Sequence, residues 1–163
     1  MAYDDIIAAA SKSSKIDPAV IKAIIKTESD WEPNATRYEK QLNESSYGLM
    51  QILLSTARDV TRNPALTPNQ LLQPAVNILT GTKYLAGHLA KYNTDQAFSA
   101  YNAGRPLYSS LRPGKFVNQD YVDKVNRYWM MYRGGMVYTI PVVIAVGLGI
   151  WWFYSSSSSR RQS

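Results

Sequence analysis

Ile21, Ile24, Ile25 and Glu28 stand at i, i+3, i+4 and i+7, a spacing that puts all four side chains on one face of a helix. Three are apolar and the fourth is a carboxylate. The helix has a marked start, because Asp17 is a natural N-cap and Pro18 suits the first helical position. Ala2 to about Lys12 predicts an earlier helix. Ser55 or Thr56 is expected to cap a short one through Val60, and Thr67-Pro68 to open another. Pro74 begins a longer helix with Ile78, Leu85 and Leu89 near one face. Asn93 or Thr94 is expected to cap a helix reaching about Tyr101, and a last one runs from about Asn118 to Tyr132. Two segments lack a helical period: the polar stretch 30–47, which contains Pro33, and the Gly/Pro-punctuated loop 104–117. Strand signals are sparse and no internal repeat is visible. The pattern predicts a mainly α-helical domain over residues 1–133.

The patterning changes after a Gly134-Gly135 joint. Residues 136–154, MVYTIPVVIAVGLGIWWFY, carry no charge and no polar face. As a helix they would extend about 28 Å, close to the thickness of a bilayer core. Tyr138 lies near one end, and Trp151, Trp152 and Tyr154 form an aromatic belt at the other. A single transmembrane helix is expected there, followed by a polar tail over 155–163. Lys124, Arg127 and Arg133 precede the span and Arg160 and Arg161 follow it, so charge does not fix its orientation.

Composition narrows the chemistry. Among 163 residues, 18 Lys/Arg face 12 Asp/Glu, and the positive charges are scattered rather than striped. That pattern argues against a nucleic-acid partner and suits an anionic polymer or surface. The chain has no cysteine and a single histidine, His88. Thiolate sites and disulfides are therefore excluded, and no metal site or cofactor is expected. His88 reads as a polar edge position on a helix.

The stretch GLMQI at 48–52 is unusual for a core. Gln51 sits among apolar neighbours, where an amide without partners costs about 1–3 kcal/mol, and Gly48 invites a close backbone approach. Glu28 raises a parallel question. A carboxyl turned toward the core has its charged form disfavoured and its pKa raised, as a general acid near neutrality requires. Periodicity alone leaves open whether Glu28 lies at the core margin or beyond it in solvent.

Three blocks bear on both questions: ESDWEPNA at 28–35, GLMQI at 48–52 and AYNAG at 100–104, accompanied by TPNQLLQPAVNILTGTKYL at 67–85. In this order, across most of 15–130, they resemble the lytic transglycosylase (soluble-lytic, SLT) family. The resemblance implies a goose-type-lysozyme-like helical fold and cleavage of peptidoglycan glycan strands. It makes Glu28 the catalytic acid/base and Ser29 the hydroxyl residue that follows it. Gly48, Leu49, Met50 and Gln51 become a block lining the cleft, with Gln51 holding the N-acetylated sugar and Gly48 letting the backbone come close to it. Tyr101 and Asn102 become an aromatic-amide pair facing the carboxyl. The chain departs from the family in a longer insert, RYEKQLNESS, over 37–46. Ser45, Ser46 or Arg37 would there replace the usual polar contact, and the substrate-binding residues the resemblance implies are Ser29, Ser46, Gly48, Met50, Gln51, Tyr101 and Asn102.

Ordinary glycosidases need two carboxyls, about 5–5.5 Å apart for retention or 6.5–9.5 Å for inversion, and only Glu28 is well placed here. The resemblance implies that the substrate supplies the second group. The N-acetyl group of N-acetylmuramic acid assists departure, and its C6 hydroxyl closes a 1,6-anhydro ring. Two alternatives stand beside this: a hydrolytic muramidase with Glu39 or Glu44 as second carboxylate, and a non-catalytic glycan-binding membrane protein. The expected partners are glycan strands, a lipid membrane through 136–154, and other virion membrane or vertex proteins. A wall-cleaving domain ahead of a C-terminal span resembles virion-associated transglycosylases of membrane-containing phages, which implies a virion internal membrane. A bacterial cell envelope is the alternative location.

Overall fold

A computed structural model describes residues 3–134. Seven helices and one small sheet follow in the order α1 (Asp4–Ser14), α2 (Pro18–Glu28), β1 (Thr36–Glu39), β2 (Glu44–Tyr47), β3 (Ile52–Leu53), α3 (Leu54–Thr61), α4 (Pro68–Leu71), α5 (Pro74–Leu89), α6 (Thr94–Ala103) and α7 (Gln119–Tyr132). The predicted span over 136–154 lies outside the described residues. No helix among the described residues is long and apolar enough to cross a membrane.

Helix α2 runs through the middle of the core, with Ile21, Ala23, Ile24 and Ile25 fully buried. Its most extensive partner is α7. The two run antiparallel, since Asp17 at the start of α2 meets the end of α7 and Glu28 at its end meets Tyr121 near the start of α7. Asp17 does two jobs. One carboxylate oxygen accepts from the Ala19 amide at 2.9 Å, capping α2. The other accepts from the Trp129 indole at 3.1 Å and lies 3.3 Å from the Arg133 Nε. One residue thus starts α2 and fastens α7 to it.

The other helix starts follow the sequence closely. Thr67–Gln70 and Asn93–Gln96 both form reciprocal capping boxes, which places the α6 cap at Asn93. Helix α3 is a correction. Neither Ser55 nor Thr56 caps it; it begins at Leu54, and Glu44 reaches over from β2 instead. The Glu44 carboxylate accepts from the Ser55 amide at 2.6 Å and from the Ser55 hydroxyl at 2.7 Å.

The segment 30–47, expected to be irregular, holds most of an antiparallel sheet of order β1-β2-β3. Thr36 pairs with Tyr47, Arg37 with Ser46, Tyr38 with Ser45 and Glu39 with Glu44, and β2 continues onto β3 through Tyr47–Ile52. No apolar alternation announces these strands because the sheet buries little: on β1 and β2 only Ser46 is fully buried. Backbone ladders, rather than a hydrophobic face, hold the hairpin. The 104–117 loop is irregular as expected, and Ser109 and Val117 close it by donating to the Lys115 and Leu107 carbonyls at 2.8 and 2.7 Å.

Candidate active site

Glu28 is the last residue of α2. The helix stops there because the chain reverses through Asp30 and Trp31, both in the left-handed region at φ 53° and 73°. Trp31 anchors the reversal by donating its indole N–H to the Tyr132 hydroxyl at 3.0 Å. Ser29 seals the end: its amide donates to the Ile25 carbonyl and its hydroxyl to the Leu49 carbonyl at 2.8 Å. The family resemblance gave Ser29 to substrate. In the structure its hydroxyl ties the end of α2 to the 48–51 loop.

Glu28 is half-buried, and burial pushes its carboxyl up to about 7. Its place at a helix C-terminus, where the dipole is negative, disfavours the anion in the same direction. Three influences oppose burial: a 2.7 Å hydrogen bond donated by the Tyr121 hydroxyl, and the positive charges of Arg37 and Lys124. Glu39 adds to the upward push. The result is a carboxyl balanced near neutrality, suited to give a proton and take one back.

Two phenols border it, Tyr101 buried and Tyr121 half-buried. Burial and the Glu28 charge hold Tyr121 and Tyr101 well above the ordinary tyrosine range, so both remain donors. Tyr101 spends its proton on the Met50 carbonyl at 3.0 Å. Tyr121 spends its own on Glu28. The sequence reading missed Tyr121, although a signal was there. It is adjacent to Val122 and four residues before Val125, so helical spacing carries it toward the core, and a buried phenol demands a partner.

The 48–51 loop answers the question raised by GLMQI differently from the resemblance. Gly48 has φ 77°, and an added Cβ would stand 2.4 Å from the Asn77 side-chain nitrogen. The close approach that requires glycine is thus made by Asn77. That buried amide accepts from the Met50 N–H at 2.7 Å and donates to the Tyr47 and Leu71 carbonyls at 2.7 and 3.0 Å. Gln51, at φ 46°, is equally occupied. It donates to the Ala35 and Gly48 carbonyls at 3.0 and 2.9 Å and accepts from the Ser46 hydroxyl at 2.9 Å. The amide expected to hold substrate braces the root of the hairpin.

Met50 and Ser46 are corrections of the same kind. The Met50 side chain is fully buried, and its sulfur lies where a Cβ on Gly81 would come within 2.6 Å. Only its backbone reaches the site. Ser46 is 2% exposed and turned to Gln51. Asn102 is exposed and accepts from the Asn118 amide at 2.9 Å rather than bonding to Glu28. Of the two insert glutamates, Glu44 is committed to α3, and Glu39 pairs with the Arg37 guanidinium at 2.6 Å while acting on Glu28 through space. Among the described residues no group of three or more His, Cys, Asp or Glu could hold a metal ion. A shallow recess between the start of α2 and the end of α7, lined by Asp17, Lys22, Tyr132 and Arg133, lies at the other end of the helix from Glu28.

The family model of the transglycosylase SLT domain matches residues 5–109, which include Glu28, the 48–51 loop and Tyr101. The chain belongs to the transglycosylase SLT family. A "Soluble lytic murein transglycosylase" of Escherichia coli K12 is 33% identical over 110 residues, covering 64% of this chain and 16% of that protein. A "Membrane-bound lytic murein transglycosylase C" of Salmonella typhimurium is 39% identical over 89 residues, covering 52% of this chain and 23% of that protein. The SLT domain described here therefore corresponds to less than a quarter of these relatives' length. Solved structures agree on the fold. An inactive mutant of lytic transglycosylase Slt from Pseudomonas aeruginosa superposes with a TM-score of 0.66 at 24% identity, over 82% of this chain and 24% of that one. A 70-kDa soluble lytic transglycosylase in complex with bulgecin A gives 0.64 at 26% identity, over 83% and 25%. The mainly helical, lysozyme-like fold expected from the sequence is the one observed. Tyr121 lies beyond the matched residues.

Proposed function

We propose that this chain is a peptidoglycan lytic transglycosylase that cleaves the β-1,4 bond between N-acetylmuramic acid and N-acetylglucosamine. One observation carries the reading: a single half-buried carboxyl, Glu28, with its pKa raised to about 7, set between the buried Tyr101 and the half-buried Tyr121. The curated relatives, named as murein transglycosylases, supply the substrate class. Glu28 protonates the bridging oxygen as the glycosidic bond breaks, while the substrate's N-acetyl oxygen closes on the anomeric carbon. Glu28, now a carboxylate, then takes the proton from the C6 hydroxyl. That oxygen attacks the anomeric carbon and expels the acetamido oxygen, giving the 1,6-anhydro ring and a protonated Glu28. No water is consumed, so no second carboxylate is required. In this scheme Tyr121 orients Glu28, and Tyr101 with the Met50 carbonyl shapes the wall opposite. Gln51 and Ser29 serve by fixing that wall.

The commitment of Glu44 to α3 and the pairing of Glu39 with Arg37 favour this scheme over a hydrolytic muramidase. We place the domain at a membrane through residues 136–154, on their apolar character alone, with a virion internal membrane as the context and opening of the wall during genome entry as the task. Mass spectrometry of exhaustively digested peptidoglycan tests the chemistry. The expected products end in 1,6-anhydro-N-acetylmuramic acid, each one water lighter than a lysozyme product and inert to borohydride. Predominantly reducible products would refute it.

A further inference from the structure

The face of α5 that builds the site continues beyond it. Asn77 holds the 47–50 loop, and Gly81, four residues on, receives Met50. Tyr84 then meets Tyr101, their rings 5.2 Å apart. One further turn brings His88, whose ring meets Tyr84 edge-on at 4.5 Å. Tyr92 follows past the helix end, fixed by its amide on the His88 carbonyl at 3.0 Å, with its ring 6.3 Å from His88 and 22° from parallel. Four aromatic rings thus form an unbroken row leading away from the wall of the catalytic site. Tyr101 is buried, whereas Tyr84, His88 and Tyr92 are half-buried. Tyr84 packs against the core cluster, whereas Tyr92 stands outside it, and the proposed mechanism uses none of the three.

We propose that His88 and Tyr92 form an outer saccharide-binding track on which a β-1,4 glycan strand lies beyond the reacting sugars. The chemistry fits a sugar chain. Flat aromatic surfaces receive the C–H faces of pyranose rings, and Tyr hydroxyls at the ring edges meet sugar hydroxyls. The spacing fits as well, since one i to i+4 step along α5 rises ~6 Å, about one pyranose of an extended strand. His88 is suited to a stacking role rather than an ionic one. Burial and the nearby Lys91 charge lower its pKa, keeping the imidazole neutral at pH 7, and its Nε2 is enclosed without a partner. The track rests on the glycan reading above, and it predicts something that reading does not: dependence on chain length.

Binding of N-acetylglucosamine oligomers, from disaccharide to octasaccharide, to the full chain carrying Glu28→Gln measures this without turnover. Affinity is expected to climb by about tenfold between short and long oligomers. His88→Ala and Tyr92→Leu, each checked for an unchanged melting temperature, should remove that climb, so that the loss is confined to the long oligomers. If the climb persists in both variants, or if the parent shows none, the track is overturned and the glycan reading stands. If the parent binds no oligomer of any length, the glycan reading falls and the track with it.

Discussion

The Tyr121 hydroxyl donates a 2.7 Å hydrogen bond to Glu28 across 93 residues of sequence, and it opposes the burial that raises the Glu28 pKa. The two effects differ in size. Burial dominates and leaves the carboxyl at about 7, while the hydrogen bond limits the shift and fixes which oxygen remains free to approach substrate.

That balance can be read from a pH profile. As general acid Glu28 works protonated, so activity should fall as pH rises through about 7. Tyr121→Phe removes a bond that favours the carboxylate, so Glu28 should hold its proton longer and the alkaline limb should move to higher pH. Glu28→Gln should cost at least about 100-fold in rate with the fold intact. An alkaline limb that stays in place in Tyr121→Phe would separate the phenol from the acid's titration.

The same shift appears in stability. Unfolded, Glu28 ionises in the ordinary carboxyl range; folded, near 7. Between those values the folded state binds more protons, so stability falls as pH rises from about 4.5 to 7, by on the order of 3 kcal/mol, and the deficit persists above. Glu28→Gln cannot ionise. Its melting temperature should exceed the parent's at pH 8 and match it near pH 4, and equal offsets at both would contradict a buried, titrating carboxyl.

Asn77→Ala should be severe although Asn77 touches no reacting group. The substitution orphans the Met50 amide and two carbonyls inside the core, which costs about 3 kcal/mol or more. It also loosens the loop whose carbonyl receives Tyr101. Chemical denaturation measures the loss, and a change below about 1 kcal/mol would show that water replaces the amide.

Glu44→Gln separates the two glycosidase schemes. Glu44 accepts two hydrogen bonds at the start of α3, so the variant should lose about 0.5–1 kcal/mol of stability and keep nearly all of its activity. Activity as low as that of Glu28→Gln would make Glu44 a second catalytic carboxylate.

A chain ending at Gly134 should fold cooperatively and cleave peptidoglycan, because the packing of α7 on α2 is complete within residues 3–134. A synthetic peptide of residues 136–154 should partition into lipid vesicles. Failure of the shortened domain to fold would assign the apolar segment to the core instead.

The legible parts of this protein were those with a period or a terminal signal. Helix α2 and its Asp17 cap follow from apolar spacing and helix-start chemistry, whereas periodicity leaves open whether Glu28 meets the core or solvent, and the capping boxes at Thr67 and Asn93 follow from side chains three residues apart. The hairpin 36–47 was illegible because it buries almost nothing, leaving no alternation to read. Gln51 within GLMQI was singled out as unusual, but an amide that satisfies a neighbour looks in sequence like one kept for a ligand. Only coordinates separate the two. The question put to Gln51, why an amide sits among apolar residues, applies equally to Asn77 within PAVNIL, where it would have found the buried anchor of the loop.

Helix α7 is the last element of the described chain, and it delivers Tyr121 and much of the apolar cover over α2. The acid is therefore incomplete until that helix docks. If α7 lifts away, Glu28 returns to water, its pKa drops to that of an ordinary surface carboxylate, and at neutral pH it holds no proton to give. The equilibrium of that opening, measurable as hydrogen exchange of the α7 amides, sets the fraction of molecules with the acid assembled at any instant. A nascent chain that has not yet emitted residue 121 is, by the same logic, chemically silent.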